Sequence, residues 1–580
     1  MTAFRKFLVL IGFISFIAAT MAFGSASNIY ITQNGSPSGN CATNVQTPAF
    51  FNSASNWGSG ANQIGPGTTV LLCGTFNVTP GASGFSVLGS GSSGSPLTVL
   101  LDAGAVIQST YLGGTDPFSS GCGPASACRA GIAVFKQNYV TIDGGANGVI
   151  QNTANGTNLA NHQTSTGVYL SGDHLIVRDL TIQNIYQNAG SSPSATDGAG
   201  SGTTDIRVDS ASTNIAIYNN TLNSARTGIS SGTNGSTGPA NCPAPTGATG
   251  VTTSSLPAPS GNWGICYFNN SVSDHDWSIL TAGQGTVNIY GNEIGDIGTL
   301  PGWLNWQFPT SAYHQDGIFI WGTSGNEVVT ANVYNNYIHG DLGQGSPSGL
   351  IYCASAEDGV SGCALTAFNN VIVQTASAQW PNDAANDQLV AVDLSASVGS
   401  MGPIVLYNNT FVAGAYAIEI YTAAGGKNAA FTLRNNIFNG SGTYLNQTDA
   451  GAPIASMMAS NNLYYQSTSN TYNAWSYQGA NIGSLAAWQT ACHCDTSPST
   501  VANPNLQSDL TPASGSPAIG RGSNLSSLSL APLGMDKNAV TRGVPSCSPA
   551  VGIAGCWDVG AYQASNGAIQ PPANLAASVQ

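Results

Sequence analysis

"IYNNTL", residues 217–222, returns as "YFNNSV" at 267–272, "IYGNEI" at 289–294 and "VYNNYI" at 333–338. It continues as "AFNNVI" at 367–372, "LYNNTF" at 406–411, "LRNNIF" at 433–438 and "ASNNLY" at 459–464. The second polar position is always asparagine: Asn220, Asn270, Asn292, Asn336, Asn370, Asn409, Asn436 and Asn462. The closest recurrences are 22 residues (Asn270 to Asn292), 26 (Asn436 to Asn462) and 27 (Asn409 to Asn436). After several of the phrases comes a short apolar run, such as "DGIFIW" or "YAIEIY". Short β-branched runs between Gly/Asn/Ser turns read as strands. A period in the twenties reads as a solenoid, in which each coil buries its apolar face only against its neighbours. Stacking at about 4.8 Å per coil would bring the asparagines into a ladder, each amide bonding those above and below. Asparagine also tolerates the left-handed backbone of a tight turn. The competing arrangement is an array of β-sandwiches with Asn-rich hairpins.

With these phrases, the chain resembles the right-handed parallel β-helix proteins of the pectate-lyase-like superfamily over roughly residues 28 to 565. The pattern "SGSPAIGRG…MDKNAVTRG…DVGAYQ", residues 514–563, resembles the final coils of secreted bacterial members. The resemblance implies an all-β fold, a right-handed parallel β-helix with an Asn ladder. The expected organisation is a signal peptide at 1–26, an N-terminal cap with the first strands at 27–135, and the β-helix with its closing segment at 136–565. Loop insertions fall at 233–262 and 298–313, and a flexible tail at 566–580.

Arg5 and Lys6 precede an apolar run from Phe7 to about Phe23, followed by Gly24-Ser25-Ala26. This reads as a secretory signal cut after Ala26, and the run is shorter than a span of about 20 residues requires. The mature chain is expected outside the cell or at its surface, as a monomer with no membrane attachment. Twelve cysteines suit an oxidising destination. Their spacing suggests Cys41–Cys73, Cys122–Cys128, Cys242–Cys266, Cys353–Cys363 and Cys547–Cys556; Cys492 and Cys494, flanking His493, are not placed. Twelve Lys+Arg against 26 Asp+Glu give −14. So acidic a chain excludes nucleic acid and anionic membranes as partners, since both are bound mainly through Lys and Arg.

Only 7 % of the residues are charged and there are six histidines, yet residues 274–341 hold His275, His314 and His339. The same stretch has Asp274, Asp276, Glu293, Asp296, Asp316, Glu327 and Asp341, four tryptophans, and no Lys or Arg. Aligning Ile279 with Ile318 places His275 on His314 and Trp277 on Asp316. His275 lies five residues after Asn270, and Asp341 five after Asn336. His275, His314, Asp316 and Asp341 therefore fall in one turn on successive coils. Carboxylates on neighbouring coils would stand roughly 5–10 Å apart, a range that includes both glycosidase geometries. The insertion "GTLPGWLNWQFPTSA" swells this coil. Trp303 and Trp306, with Trp277, Tyr313 and Trp321, are candidate platforms for the apolar faces of sugar rings. The alternative for Trp303 and Trp306 is a satellite core closing the loop onto the solenoid.

"HQDGI", 314–318, resembles the Asn-Thr-Asp-Gly-Ile motif of polygalacturonases, whose Asp is catalytic; the resemblance implies that role for Asp316. Asp341, in "HGDL", echoes the family's Gly-Asp-Asp; the chain has neither Gly-His-Gly nor Arg-Ile-Lys. The expectation is a glycoside hydrolase acting on a polysaccharide. One of Asp316 and Asp341 donates a proton, the other activates water or attacks, and His314 and His275 orient them. No cofactor is required for this chemistry; Asp274 and Asp276 are candidate calcium ligands. The alternatives are a polysaccharide lyase, with Arg226 the best-placed base and substrate contact, and a non-catalytic surface glycan-binding or adhesin β-helix.

Overall fold

The computed structural model describes residues 25–114, 129–156, 159–186, 203–234, 242, 262–300, 302–303, 306, 314–321, 328–343, 349–354, 362–375, 388–394, 401–422, 428–447, 454–466, 474–496, 499–543 and 557–564. The expected signal peptide, the 233–262 excursion, most of the 298–313 insertion with Tyr313, the tail, and the pairs Cys122–Cys128 and Cys547–Cys556 lie largely or wholly outside them.

Within these residues the chain is a right-handed parallel β-helix. Three parallel sheets form its faces, each built by one short strand per coil. The first runs from Asn28–Ile31 through Thr69–Leu72 and Leu97–Leu101 to Ala430–Arg434 and Ser456–Ser460. The second runs from Thr75–Asn77 through Val106–Ser109 to Ile437–Asn439, Leu463–Tyr465 and Thr500–Val501. The third begins at Phe85–Val87 and passes through Thr204–Val208, Asp316–Trp321, Gly349–Ala354, Gln388–Asp393 and Tyr416–Tyr421. Stacking starts at Asn28, within the region expected to hold the cap and first strands; Phe51 and Trp57 pack edge-to-face beside the first coil. One continuous apolar core fills the tube, lined by residues such as Ile217, Ile279, Ile318 and Val390.

The repeated phrase is the turn from first to second sheet. Its first asparagine is left-handed, with φ of 56° at Asn219, 54° at Asn269 and 57° at Asn335. Where the phrase reads "IYGNEI", Gly291 takes that place at φ 64°, as a turn needing positive φ allows. The second asparagine points inward and is buried. Asn336 Nδ2 donates to Asn370 Oδ1 at 3.0 Å and to the Ile289 carbonyl at 2.9 Å. Its Oδ1 accepts from both the backbone N–H and the amide of Asn292, at 3.0 Å each. The pattern holds from Asn220 to Asn462 and ends on Asp495 and Ser499. The aromatic just before each turn forms a second column outside. Tyr218, Phe268, Tyr290, Tyr334 and Phe368 stack at 4.7–4.8 Å.

The closing segment differs from the expected final coils. Residues 521–543 and 557–562 turn back along the outside, over the turn asparagines. Asn369, Asn435 and Asn461 donate to the carbonyls of Met535, Ser523 and Arg521. Leu525, Leu533 and Trp557 pack on the aromatic column. The segment is thereby tied to coils 60 to 173 residues away. Disulfides join Cys41–Cys73, Cys242–Cys266 and Cys353–Cys363 as the spacing suggested, and Cys492 pairs with Cys494. No described helix is long and apolar enough to cross a membrane.

Asn336→Ala would orphan buried donors and acceptors on both neighbouring coils. It should lower the unfolding free energy by about 3 kcal/mol in chemical denaturation. Asn336→Asp should cost at least as much, because a carboxylate cannot donate to Asn370.

Candidate active site

The register expected from counting is the one observed: Trp277 stands opposite Asp316, and Ile279 opposite Ile318. His275, His314, Asp316 and Asp341 all lie at the edge where the second sheet passes into the third. Their side chains divide that edge into separate environments.

His275 points into the tube. It is fully enclosed, and its Nε2 lies 2.8 Å from Asp205 Oδ2. Between them passes Gly228, where a Cβ would come within 2.5 Å of the Ser278 carbonyl and 3.3 Å of the His275 ring. Burial holds the imidazole neutral, its pKa lowered to about 3. Burial, then the charge of Asp274, pushes Asp205 well above the carboxylate range. The pair therefore stores one uncharged acid beside one uncharged base. His275 is not placed to orient Asp316, which corrects the role expected of it. Asp205 was missed; its signal is its register, one residue before the core residue Ile206.

Asp276 is also fully enclosed. Its Oδ2 accepts from Arg226 Nε at 3.2 Å, and it takes a backbone hydrogen bond from His314, itself an exposed residue. Burial raises its pKa to about 7 against the opposing pull of Arg226. The guanidinium also lies over the Trp277 ring, 4.7 Å from its centroid. Asp316 completes the group. Its Oδ1 accepts from Gly349 N–H at 3.1 Å, while Oδ2 is buried without a partner. Burial, and then the charge of Asp276, drives Asp316 well above its ordinary value. Two carboxyl groups on adjacent coils thus have opposite surroundings, one on a cation and one without.

Asp341 does not join them. Its Oδ1 accepts from Gly343 N–H at 2.9 Å, a turn-capping role. The Trp303 indole fills the space between the two positions: its Nε1 donates to the Asp316 carbonyl at 3.4 Å, and a Cβ on Gly340 would meet its ring at 2.8 Å. Trp303 and Trp306 are both 0 % exposed. Trp306 Nε1 donates to the Asp274 carbonyl at 3.0 Å, and its ring meets Tyr186 at 5.8 Å. Trp303 joins the main apolar core and Trp306 forms a small satellite with Tyr186, and the expectation that they offer free faces to sugar is corrected. Asp274 and Asp276, expected as calcium ligands, stand on separate partners. Asp276 already holds a guanidinium and Asp274 accepts from Ser224 Oγ at 2.8 Å, so the two carboxylates serve different partners. Among the described residues no set of three metal-ligating side chains gathers.

The half-open aromatics lie instead on the outer face of the third sheet. Ile318, Ile320, Ile351, Val390, Val392, Ile418 and Ile420 belong to the inner core. Strand alternation therefore turns Phe319, Trp321, Tyr352, Asp393, Glu419 and Tyr421 outward. Phe319 meets Trp277 at 5.8 Å, Trp321 at 5.8 Å and Tyr352 at 5.1 Å. Trp277, Trp321 and Tyr352 are partly exposed there. Further along, Glu419 is 3 % exposed, accepts from Asn446 Nδ2 on both oxygens, and is raised by burial to about 7.

The sequence matches no family profile and no curated protein. Three solved structures are similar in part. The native lacto-N-biosidase of family GH136 from Eubacterium ramulus matches at TM-score 0.35 and 10 % identity, over 82 % of this chain and 68 % of that one. XylC in complex with xylose gives 0.38 and 10 %, over 78 % and 86 %. The pectate lyase Pel9A gives 0.36 and 14 %, over 94 % and 98 %. Similarity at this level carries no statement of activity.

Trp303→Ala should lose about 4 kcal/mol of stability in chemical denaturation, whereas Trp321→Ala should lose under about 1 kcal/mol. Asp276 binds its proton more tightly folded (about 7) than unfolded (3.8). Its contribution to stability is therefore present below pH 3.8 and is lost as the pH rises through 7. Asp276→Asn should flatten the fall between those values, by at most about 1.4 kcal/mol per pH unit, in unfolding titrations.

Proposed function

We propose that the protein is an exported polysaccharide-active enzyme that hydrolyses glycosidic bonds against the outer face of the third sheet. The observation carrying this reading is the pairing of Asp316 with Asp276. Asp316, buried with no cation, is kept protonated near neutral pH and is the general acid for the glycosidic oxygen. Asp276, held by Arg226, is the companion carboxylate that activates water or attacks the anomeric carbon. Trp277, Trp321 and Tyr352, packed on buried Phe319, offer partly exposed rings beside them for sugar. Both carboxyls are enclosed in this structure, so turnover requires the cover over Asp316 to open.

Hydrolysis is favoured over β-elimination because Arg226, the best-placed cationic base, is engaged by Asp276 and stacked on Trp277. Among the described residues, strands Asp316–Trp321, Gly349–Ala354, Gln388–Asp393 and Tyr416–Tyr421 contain no Lys, Arg or His that could take a uronate carboxylate, and Arg207, on Thr204–Val208 of the same sheet, stands three coils from Asp316–Trp321. This favours a glycan without acidic groups beside Asp316.

The mature protein incubated with a panel of neutral and amino glycans should release reducing ends without generating the ultraviolet absorbance of an unsaturated sugar. Asp316→Asn preserves the Gly349 hydrogen bond and should lower kcat about 10²- to 10⁴-fold with folding intact. New ultraviolet absorbance would replace hydrolysis with elimination. Retention of glycan with no cleavage would leave a binding module.

A further inference from the structure

At the C-terminal end of the tube, far from the carboxyl groups above, Cys492 and Cys494 are joined across one residue, His493. The other described bridges, Cys41–Cys73, Cys242–Cys266 and Cys353–Cys363, join residues 32, 24 and 10 apart; this one joins residues 2 apart. A disulfide stabilises a fold mainly by removing loop-closure entropy from the unfolded chain. The probability of closing a loop falls as about the 3/2 power of its length. By that scaling, folding favours the three longer bridges over Cys492–Cys494 about 60-, 40- and 10-fold respectively. The coupling is reciprocal: a bridge that adds little to folding is little protected by folding against reduction.

Hydrogen bonds already hold the segment that this bridge spans. Helix Leu485–Cys492 is capped by Ser484, whose side chain accepts from the Ala487 N–H. Gln489 Nε2 donates to the Asp495 carbonyl at 2.7 Å, and Trp488 Nε1 to Asp495 Oδ2 at 3.1 Å. Asp495 is tied in turn to the tube: its N–H donates to the Ala459 carbonyl, and its Oδ2 accepts from Tyr464. Cys492 and Cys494 are each 8 % exposed, whereas every other described bridge has at least one cysteine at 0 %. The bridge is thus short, redundant as a staple and open to solvent, the setting of a labile disulfide rather than a structural one.

We propose that Cys492–Cys494 is a thiol–disulfide exchange site that oxidises external thiols. The Cys494 N–H donates to Cys492 Sγ at 3.2 Å, which makes Cys492 the leaving sulfur. The carbonyl end of the helix opposes an anion at Cys492, so this amide is the group that steadies it. An external thiolate attacks Cys494 Sγ, the S–S bond breaks, and its electron pair goes to Cys492. A second thiolate attacks the external sulfur of the mixed disulfide and displaces Cys494. Two external thiols lose two electrons and two protons, and the bridge takes up both as two cysteine thiols.

The protein is equilibrated in glutathione buffers of stepped reduced-to-oxidised ratio, alkylated, and mapped by mass spectrometry. The 492–494 bridge should open at a ratio of squared thiol to disulfide at least about tenfold below that for the other three described bridges. Up to that point each chain should convert two thiols to one disulfide. A parallel arm replaces glutathione with a peptide carrying one cysteine; exchange with either supports the assignment, and the faster one names the thiol's source. Cys492→Ser should hold the mixed disulfide on Cys494. Cys492→Ser/Cys494→Ser should keep the wild-type denaturant midpoint and oxidise no thiol at that ratio. A bridge that opens only together with the others overturns the proposal, as does a Cys492→Ser chain without the mixed disulfide. A lowered midpoint in the double variant returns the bridge to a staple. Should a variant not fold, the titration of the unaltered protein decides. No readout here depends on glycan cleavage, so this assignment and the hydrolase stand or fall separately.

Discussion

Buried amide-to-amide hydrogen bonding along the Asn220–Asn462 column is the constraint on which the other features depend. A β-helix must turn its backbone inside a protein wall, and every peptide group facing inward at the turn needs a partner. The asparagine side chain supplies one donor to a carbonyl of the neighbouring coil and one acceptor to the next N–H, then passes the pattern on. Each rung is satisfied only if the next lies at strand spacing and in register. The ladder therefore fixes axial position, and axial position fixes which side chains share a row. The meeting of Trp277 with Asp316, 39 residues on, follows from this.

Rows explain why the fold and part of the site were legible. The phrase period revealed the solenoid, and counting from Ile279 and Ile318 gave the correct pairing across an insertion. Counting from Asn336 to Asp341 also placed Asp341 on the correct edge. Counting could not say that Trp303 would stand between Asp341 and Asp316, because the indole comes from an inserted loop with no register of its own. Nor could it say that His275 turns inward. That depends on Gly228 leaving room for the ring two coils from Asp205. Asp393 and Glu419 escaped notice because neither sits in a cluster of reactive residues in the sequence. Their signal is the alternation in "LVAVD" and "AIEIY", where a carboxylate takes an outward position between inward aliphatics.

The closing segment shows the same logic from outside. A column of stacked aromatics at the first turn would leave a long apolar stripe in water, and such stripes invite association. Residues 521–543 and 557–562 cover it with Leu525, Leu533 and Trp557 and meet the left-handed turn asparagines with backbone carbonyls. Arg542, enclosed among the carbonyls of Asp558, Gly560 and Ala561, clamps the return by bonding Asn369 Oδ1. The apparent final coils are thus a strap, and its irregular sequence reflects a surface that changes from coil to coil.

The distribution of charge is the strongest argument against a solenoid serving only as a spacer. Asp205, Asp276, Asp316 and Glu419 are all at most 3 % exposed. Desolvation opposes the ionised form of each, and a structural coil could carry threonine or asparagine there without that cost. One carboxyl is matched with a neutral imidazole, one with a guanidinium, one with an amide, and one with a backbone N–H. Burial raises the proton affinity of all four, which are gathered where two sheets meet and along the adjoining face. Carboxyl groups that hold a proton towards neutral pH are what acid–base chemistry requires, and a spacer has no use for them.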